Sequence, residues 1–217
     1  MVASPFAVDS GDLPSRLPIF PLTNAVLLPG GQLPLNIFEP RYLEMCQYAI
    51  TTPTRMIGMI QPSMQEGEDD LFRIGCAGRI SYFQETDDNR LMISLDGICR
   101  FSLVDDVVQD SGFRMANVRW DAFAADMTPD EMALDKDGLL AIMQRYFEIK
   151  GFDADWEQIE RAEDLQLLTT LSMVCPFDVP EKQALLEAET LKARADLLIA
   201  MMEMAIHGEE NPHESRH

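Results

Sequence analysis

Leu17-Pro18-Ile19-Phe20-Pro21-Leu22 and Gln32-Leu33-Pro34-Leu35-Asn36-Ile37, with Pro29-Gly30-Gly31 between them, decide how this chain folds. Proline restricts its own φ and holds the residue before it extended, so the first stretch is predicted to be a strand. The second alternates apolar and polar residues with period two, the pattern of a strand with one covered face. Because proline carries no N–H for a ladder, both stretches are expected at a sheet edge. Pro29-Gly30-Gly31 supplies the turn.

A single helix interrupts the strands. Pro40 suits a first turn, where no N–H is needed, and Tyr42, Met45, Cys46 and Ala49 follow at the i, i+3, i+4, i+7 spacing of one apolar face before Pro53. Four more strands are predicted at Met56 to Ile60, Phe72 to Phe83, Leu91 to Leu95 and Cys99 to Val104. Asp87-Asp88-Asn89 marks a hairpin, and Phe113 to Trp120 forms a last strand. Gly75, Gly78 and Gly97 lie inside these patterns, where a bulge or close backbone approach is the expected reason.

The remainder is predicted to be helical. Thr128-Pro129-Asp130-Glu131 has the form of a capping box, and Leu139, Ile142, Met143, Tyr146 and Phe147 share a face before Gly151. Asp178 to Glu181 repeats the capping signal. A final helix is expected from Thr190 to Ile206, with Leu191, Ala195, Leu198, Met202 and Ala205 as its apolar stripe and Gly208 as its end. The predicted organisation is a loose arm over 1–15, a β-rich part over 16–122, a helical part over 123–207 and a polar tail over 208–217.

Charge narrows the choice of partner. The 217 residues hold 17 Lys and Arg against 37 Asp and Glu, a net charge of −20 that repels phosphate backbones and anionic lipid. No run approaches the ~18 apolar residues of a membrane span, and the amino terminus lacks a signal-peptide pattern, so a cytoplasmic chain is expected. Cys46, Cys76, Cys99 and Cys175 form no C-x-x-C pair and are expected to stay thiols, buried as small hydrophobes.

The residues that usually carry catalysis are missing or misplaced. His207, His213 and His217 are the only histidines and fall in the last eleven positions, where nothing would hold an imidazole against a nucleophile. Lys136, Lys150, Lys182 and Lys192 are the only lysines; none lies in an apolar stretch that would make it a base, and none follows a glycine as a phosphate-binding loop requires. No catalytic residue, metal site or cofactor is expected. Glu66, Glu68, Asp69 and Asp70 cluster in one loop, where solvation is the commoner explanation.

Several blocks resemble the substrate-binding domain at the start of Lon proteases. These are Leu17 to Leu22, Val26-Leu27-Leu28-Pro29-Gly30, Leu33 to Tyr42 with its Phe38-Glu39-Pro40-Arg41-Tyr42, Glu68 to Ile80, Leu95 to Phe101, Pro180 to Glu187 and Ala193 to Leu198. Their shared order, from about Arg16 to His207, carries the likeness. The resemblance implies an α+β fold, a PUA-like β-rich subdomain of twisted sheets or a pseudo-barrel with one helix, followed by a C-terminal α-helical bundle. It also implies a stand-alone module without the ATPase and peptidase parts of Lon.

The expected function is non-catalytic binding of exposed apolar segments of unfolded or partly folded polypeptides, or docking to a protein partner, by a monomer or weak homo-oligomer. Two physical routes are open: strand addition at the proline-marked edge, or apolar anchoring in a groove. The candidate contact residues are Phe38, Arg41, Tyr42, Met56, Met59 and Met64, although core packing is the commoner reason for such methionines. An ion pair and a packed helix start would account for Glu39, Arg41 and Tyr42 without a ligand. Two rivals are a hydrolase built on two of Glu39, Glu66, Glu68 and Asp96, and an RNA binder using Arg55, Arg73, Arg79, Arg90 and Arg100. The net charge makes nucleic acid the weakest partner.

Overall fold

A computed structural model describes residues 8–63, 70–128 and 134–210, and in it the two proline-marked stretches are the strands β1 (Arg16–Pro21) and β2 (Gln32–Ile37). The helix α1 (Pro40–Thr51) follows with proline in its first turn, and the residues it buries are Tyr42, Met45, Cys46 and Ala49. Burial of each large apolar side chain there is worth about 1.5–3 kcal/mol. The sheet continues through β3 (Met56–Ile60), β4 (Ile74–Glu85), β5 (Leu91–Val108) and β6 (Arg114–Arg119).

The strands run in the order β2-β5-β4-β3-β1-β6, and β6 pairs again with β5. The circuit is closed by the length of β5. Its first part, Leu91 to Asp96, pairs with β2; its last part, Ser102 to Val108, pairs with β6; β4 lies along Leu91 to Ser102. Two strands had been expected here, divided at Asp96-Gly97. Instead Leu91, Ile93, Leu95, Gly97, Cys99, Phe101 and Leu103 are all buried along one continuous strand, with Arg100 the one buried residue on the other face. Gly97 is what allows the strand to continue: a Cβ there would lie 2.0 Å from the Leu28 carbonyl oxygen. The loop before β2 thus crosses β5 at backbone distance, with Gly30 donating its N–H to the Gly97 carbonyl at 2.9 Å.

The prolines of β1 follow the edge rule locally. β1 has neighbours on both sides only at Ile19, because β6 pairs with Arg16 to Ile19 and β3 with Ile19 to Pro21. Pro18 and Pro21 each fall where one side is vacant. Leu17, Ile19, Met56, Ile60, Phe101, Leu103 and Val118 join in one buried cluster, against which Val8, Leu13 and Trp120 pack. Trp120 also donates Nε1–H to the Pro14 carbonyl at 3.0 Å. Residues 8–15, within the arm expected to be loose, are therefore attached to the sheet.

Two compact units divide the chain: one is the stretch up to Pro129 joined by Phe177–Leu186, the other Asp130–Pro176 with Glu187 onward. The segment that returns to the strand unit is most of the helix α5 (Val179–Glu187). It opens with the expected capping box, in which Glu181 accepts from the Asp178 N–H at 2.8 Å and Asp178 accepts from the Glu181 N–H at 2.9 Å. Polar groups fasten it. Gln61 Nε2 donates to the Val179 carbonyl and to Gln183 Oε1, both at 3.1 Å, and Gln183 Nε2 donates to the Ile74 carbonyl at 3.0 Å. Arg100 is the strongest tie: its side chain reaches the Leu186 carbonyl and both oxygens of Asp126, a residue of the 3-10 segment Asp121–Met127.

The second unit holds α2 (Lys136–Lys150), α3 (Trp156–Arg161), α4 (Asp164–Val174) and α6 (Leu191–Glu210). Asp135, not Thr128, caps α2 by accepting from the Gly138 N–H at 3.1 Å, and Pro129 to Ala133 lie outside the described residues. Leu139, Met143 and Tyr146 are its buried face, and Gly151 ends it with φ of 69°. In α6 the buried residues include Ala195, Leu198, Met202 and Ile206. That helix runs through Gly208 to Glu210, because a solvent-exposed glycine weakens a helix without stopping it.

Substituting Asp126→Asn should lower the urea-unfolding free energy by about 3–5 kcal/mol, since it leaves the Arg100 guanidinium buried without its counter-charge. The double variant Arg100→Met with Asp126→Leu should be less destabilised than that single one. Gly97→Ala should cost about 1–3 kcal/mol in the same assay, as the added methyl pushes the Leu28 loop off β5.

Candidate functional site

The residue that ends β2 begins the site. Ile37 turns inward, and Phe38, next in the chain and ahead of the proline that starts α1, is left 61% exposed. It borders a cleft of about 350 Å³ whose walls are the end of β1 with Phe20 and Leu22, the inner residues Leu35 and Ile37 of β2, and the start of α1 with Arg41 and Tyr42. Tyr42 forms the floor. Its ring lies 4.2 Å from that of Phe20, and burial pushes its hydroxyl pKa up, opposed by the Arg41 guanidinium.

Cations hold the aromatic rim. The Arg41 guanidinium stands 4.6 Å from the Tyr42 ring centre and pairs with Glu39 at 2.8 Å. Arg90, on the β4–β5 hairpin, stands 5.7 Å from the Phe38 ring and pairs with Asp88 at 2.8 Å. The Thr86 hydroxyl donates to Asp88, which holds that carboxyl below its ordinary pKa. Asn89 takes the positive φ of 60° that the hairpin demands. Exposed ion pairs of this kind contribute little to stability, about 0–1 kcal/mol, so their effect is to fix where the two rings stand.

Of the six residues singled out from the sequence, the structure brings Phe38, Arg41 and Tyr42 together. Met56 and Met59 are elsewhere: both are 1% exposed on β3, inside the sheet, and unavailable to any ligand on the surface. Core packing is the reason for them, as the uninterrupted burial of Met56 to Ile60 shows. Met64 lies outside the described residues. The sequence reading missed Phe20, Leu35 and Arg90. Leu35 and Phe20 are adjacent to the flagged residues in the two opening strands, whereas Arg90 approaches only because the hairpin folds back.

Of the rival sites, the described residues bear on the carboxylate pair Asp96 and Glu39 and on the arginines. Asp96 accepts from the Gln32 side chain at 3.0 Å at one end of β2, and Glu39 follows its other end. Five strand steps separate Gln32 from Ile37, roughly 17 Å, twice the spacing of a working carboxylate pair. Glu66 and Glu68 lie outside the described residues. Among the five arginines proposed for RNA, Arg100 is 5% exposed and committed to Asp126, so it is not available to a surface ligand. No group of three or more His, Cys, Asp or Glu could hold a metal among the described residues, and no described helix is long and apolar enough to cross a membrane.

Two other recesses fit a ligand less well. The groove beside α1 that includes Tyr48 and Phe113 is larger, about 600 Å³, but Glu44, Gln47, Thr51, Gln109 and Asp110 make it polar. The recess of the helical unit, with Phe147, Phe152 and Val174, has Asp153 as its one charged wall. The Phe38 cleft joins an apolar lining to several converging polar groups, the usual composition of a recognition site.

Known proteins share this sequence and fold. The family model of the ATP-dependent protease La (LON) substrate-binding domain matches residues 16–204. Lon protease 2 of Myxococcus xanthus is 28% identical over 211 residues, covering 93% of this chain and 25% of that protein. The Lon protease of Anaeromyxobacter dehalogenans is 26% identical, covering 91% and 24%. The chain thus spans about a quarter of the length of these relatives. The crystal structure of a Lon N-terminal domain protein from Xanthomonas campestris superposes with a TM-score of 0.59 at 25% identity, covering 85% of this chain and 97% of that one. The N-terminal domain of a Mycobacterium avium complex Lon protease, at 17% identity, has the same fold with a TM-score of 0.61 over 87% of this chain.

Nucleophilic thiols do not contribute to the site. All four cysteines are buried, and burial pushes Cys46 on α1 and Cys99 on β5 up to about 12. At pH 8 the native protein should leave 5,5′-dithiobis(2-nitrobenzoate) unreacted, with four thiols appearing only in denaturant. Because these folded pKa values exceed the unfolded one of about 8.5, their contribution to stability is complete below that pH and declines as pH rises towards 12. Stoichiometric labelling of the folded protein at pH 8 would contradict this.

Proposed function

Because the chain belongs to the family of the ATP-dependent protease La (LON) substrate-binding domain, with a matching region that covers most of its length, we propose that it is a polypeptide-binding module. The Phe38 cleft receives an apolar side chain from an unfolded or partly folded client. The observation that carries this reading is the exposure of the Phe38 ring at 61%, propped by Arg90 at the mouth of an apolar-walled cleft. The ring continues the apolar walls of the cleft, so the two together offer one apolar surface to a partner. Arg41 and Glu39 at the rim offer a donor and an acceptor to polar side chains of the client.

The size of the cleft sets the strength. A space of about 350 Å³ admits one or two side chains, and each apolar side chain transferred from water contributes about 1.5–3 kcal/mol, a factor of roughly 10 to 150 in affinity. Binding of this kind is weak and tolerant of sequence. Such tolerance suits the sampling of exposed hydrophobic segments, which differ from client to client but share apolar side chains.

Fluorescence anisotropy with labelled, reduced and carboxymethylated α-lactalbumin tests the proposal. The protein should bind it and slow its aggregation. Phe38→Ser should weaken binding about tenfold while leaving the urea midpoint nearly unchanged, since an exposed side chain contributes little to folding. Absence of binding, or equal affinity of the Phe38→Ser variant, would overturn it.

A further inference from the structure

We infer that Pro34 bars the outer edge of β2 from taking on another strand, so that the neighbouring cleft engages a client through side chains and not through backbone pairing; this rests on the polypeptide-binding reading above. Strand β2 pairs only with β5 among the described strands, and its other side is open. Which residues face that open side follows from hydrogen bonds at its start. Gly97 donates its N–H to the Gly31 carbonyl at 2.8 Å and accepts from the Gly30 N–H at 2.9 Å, so Gly97 directs its backbone polar groups at the β2 side.

An antiparallel ladder alternates by two residues. With Gln32 opposite Asp96, the bonded residues of β2 are Leu33, Leu35 and Ile37, and the groups of Gln32, Pro34 and Asn36 point outward. The β4 side agrees: Ile80 gives its N–H to the Arg55 carbonyl, away from β5, which leaves Arg79 facing Asp96 across the β4–β5 pair. The centre of the open edge is therefore the one residue without an N–H.

Proline does more there than omit a bond. Its Cδ occupies the place of the hydrogen, and an incoming carbonyl oxygen must stay about 3.3 Å or more from that carbon, against roughly 2 Å from a hydrogen. The two strands are thus wedged apart midway along a six-residue strand. The wedge has a purpose, because the outer face beside this edge is apolar in part, with Tyr82 51% and Met92 42% exposed on the strands next in order. An open edge next to such side chains would pair with any extended chain, including a second copy. With Pro34 in place, the cleft accepts a side chain whatever the conformation of the segment that bears it.

The test uses a fluorescein-labelled ten-residue peptide, leucine-phenylalanine-leucine in a glycine-serine background, and its counterpart in which the amides of the three central residues are esters. Esters remove the N–H donors with almost no change of shape. Wild-type protein should bind the two within about threefold, whereas strand addition would lose a larger factor with each missing bond. Pro34→Val should discriminate against the ester peptide by more than about fivefold, and should show a dimer on sedimentation that the wild type lacks. Discrimination by the wild type, or a folded Pro34→Val variant that neither discriminates nor dimerises, would overturn the inference. Failure of the wild type to bind either peptide would count against the binding reading instead, and sedimentation of Pro34→Val would still decide the edge.

Discussion

The buried pair of Arg100 and Asp126 is the constraint on which the strand unit depends. Arg100 sits 5% exposed in the middle of β5, and its side chain donates to both oxygens of Asp126 at 2.9 and 2.8 Å while its own backbone N–H adds a third bond to that carboxylate. A fourth bond runs to the Leu186 carbonyl, and the guanidinium lies 4.6 Å from the Phe123 ring. Desolvating two charges costs several kcal/mol, which only such complete hydrogen bonding can offset. The consequence is geometric. One side chain fixes β5, the 3-10 segment after β6 and the end of α5 in a single arrangement.

That arrangement explains the path of β5. The two halves of this 18-residue strand pair with different neighbours, β2 and β6. Here the register shifts between Leu103 and Asp105 and near Gly78 let it curve, with Arg100 anchored between them. The curvature brings the far half to β6 and leaves β2 paired on one side at the near half. The cleft exists because β2 ends there: Phe38 and the first turn of α1 must leave the sheet where β1 has run out at Pro21. The cleft and the closed circuit of strands are thus two results of one strand's length.

Much of this was legible in local pattern. The face of α1, the limits of β3, the hairpin at Asp87 to Asn89 and the capping box of Asp178 and Glu181 all form as their spacing implies, because each is settled by residues within a turn or two of one another. The continuity of β5 was present in the alternation from Leu91 to Leu103, and the close backbone approach expected at Gly97 is observed, although the strand was divided there into two. A glycine inside a strand signals either a bulge or a close neighbour, and the sequence does not say that the neighbour here is Leu28. The methionines mislead for a related reason: Met56 and Met59 are chemically apt for a binding surface, and nothing within β3 reports that strands lie on both its sides.

The amino-acid sequence by itself determined the family, the strands apart from the continuity of β5, the helices α1, α2, α5 and α6 but not α3 and α4, the net acidity and the cluster of Phe38, Arg41 and Tyr42, since periodicity, capping and charge act over short distances along the chain. Tertiary structure alone decided which charges are interior, that most of α5 belongs with the strands, that Arg90 meets Phe38 and that the backbone groups of Pro34 face outward. These last depend on residues brought together from distant parts of the chain, 86 positions apart for Arg100 and Leu186, and on the phase of a hydrogen-bond ladder set by its partner strand. Burial and register are properties of neighbours in space, which no stretch of sequence carries within itself.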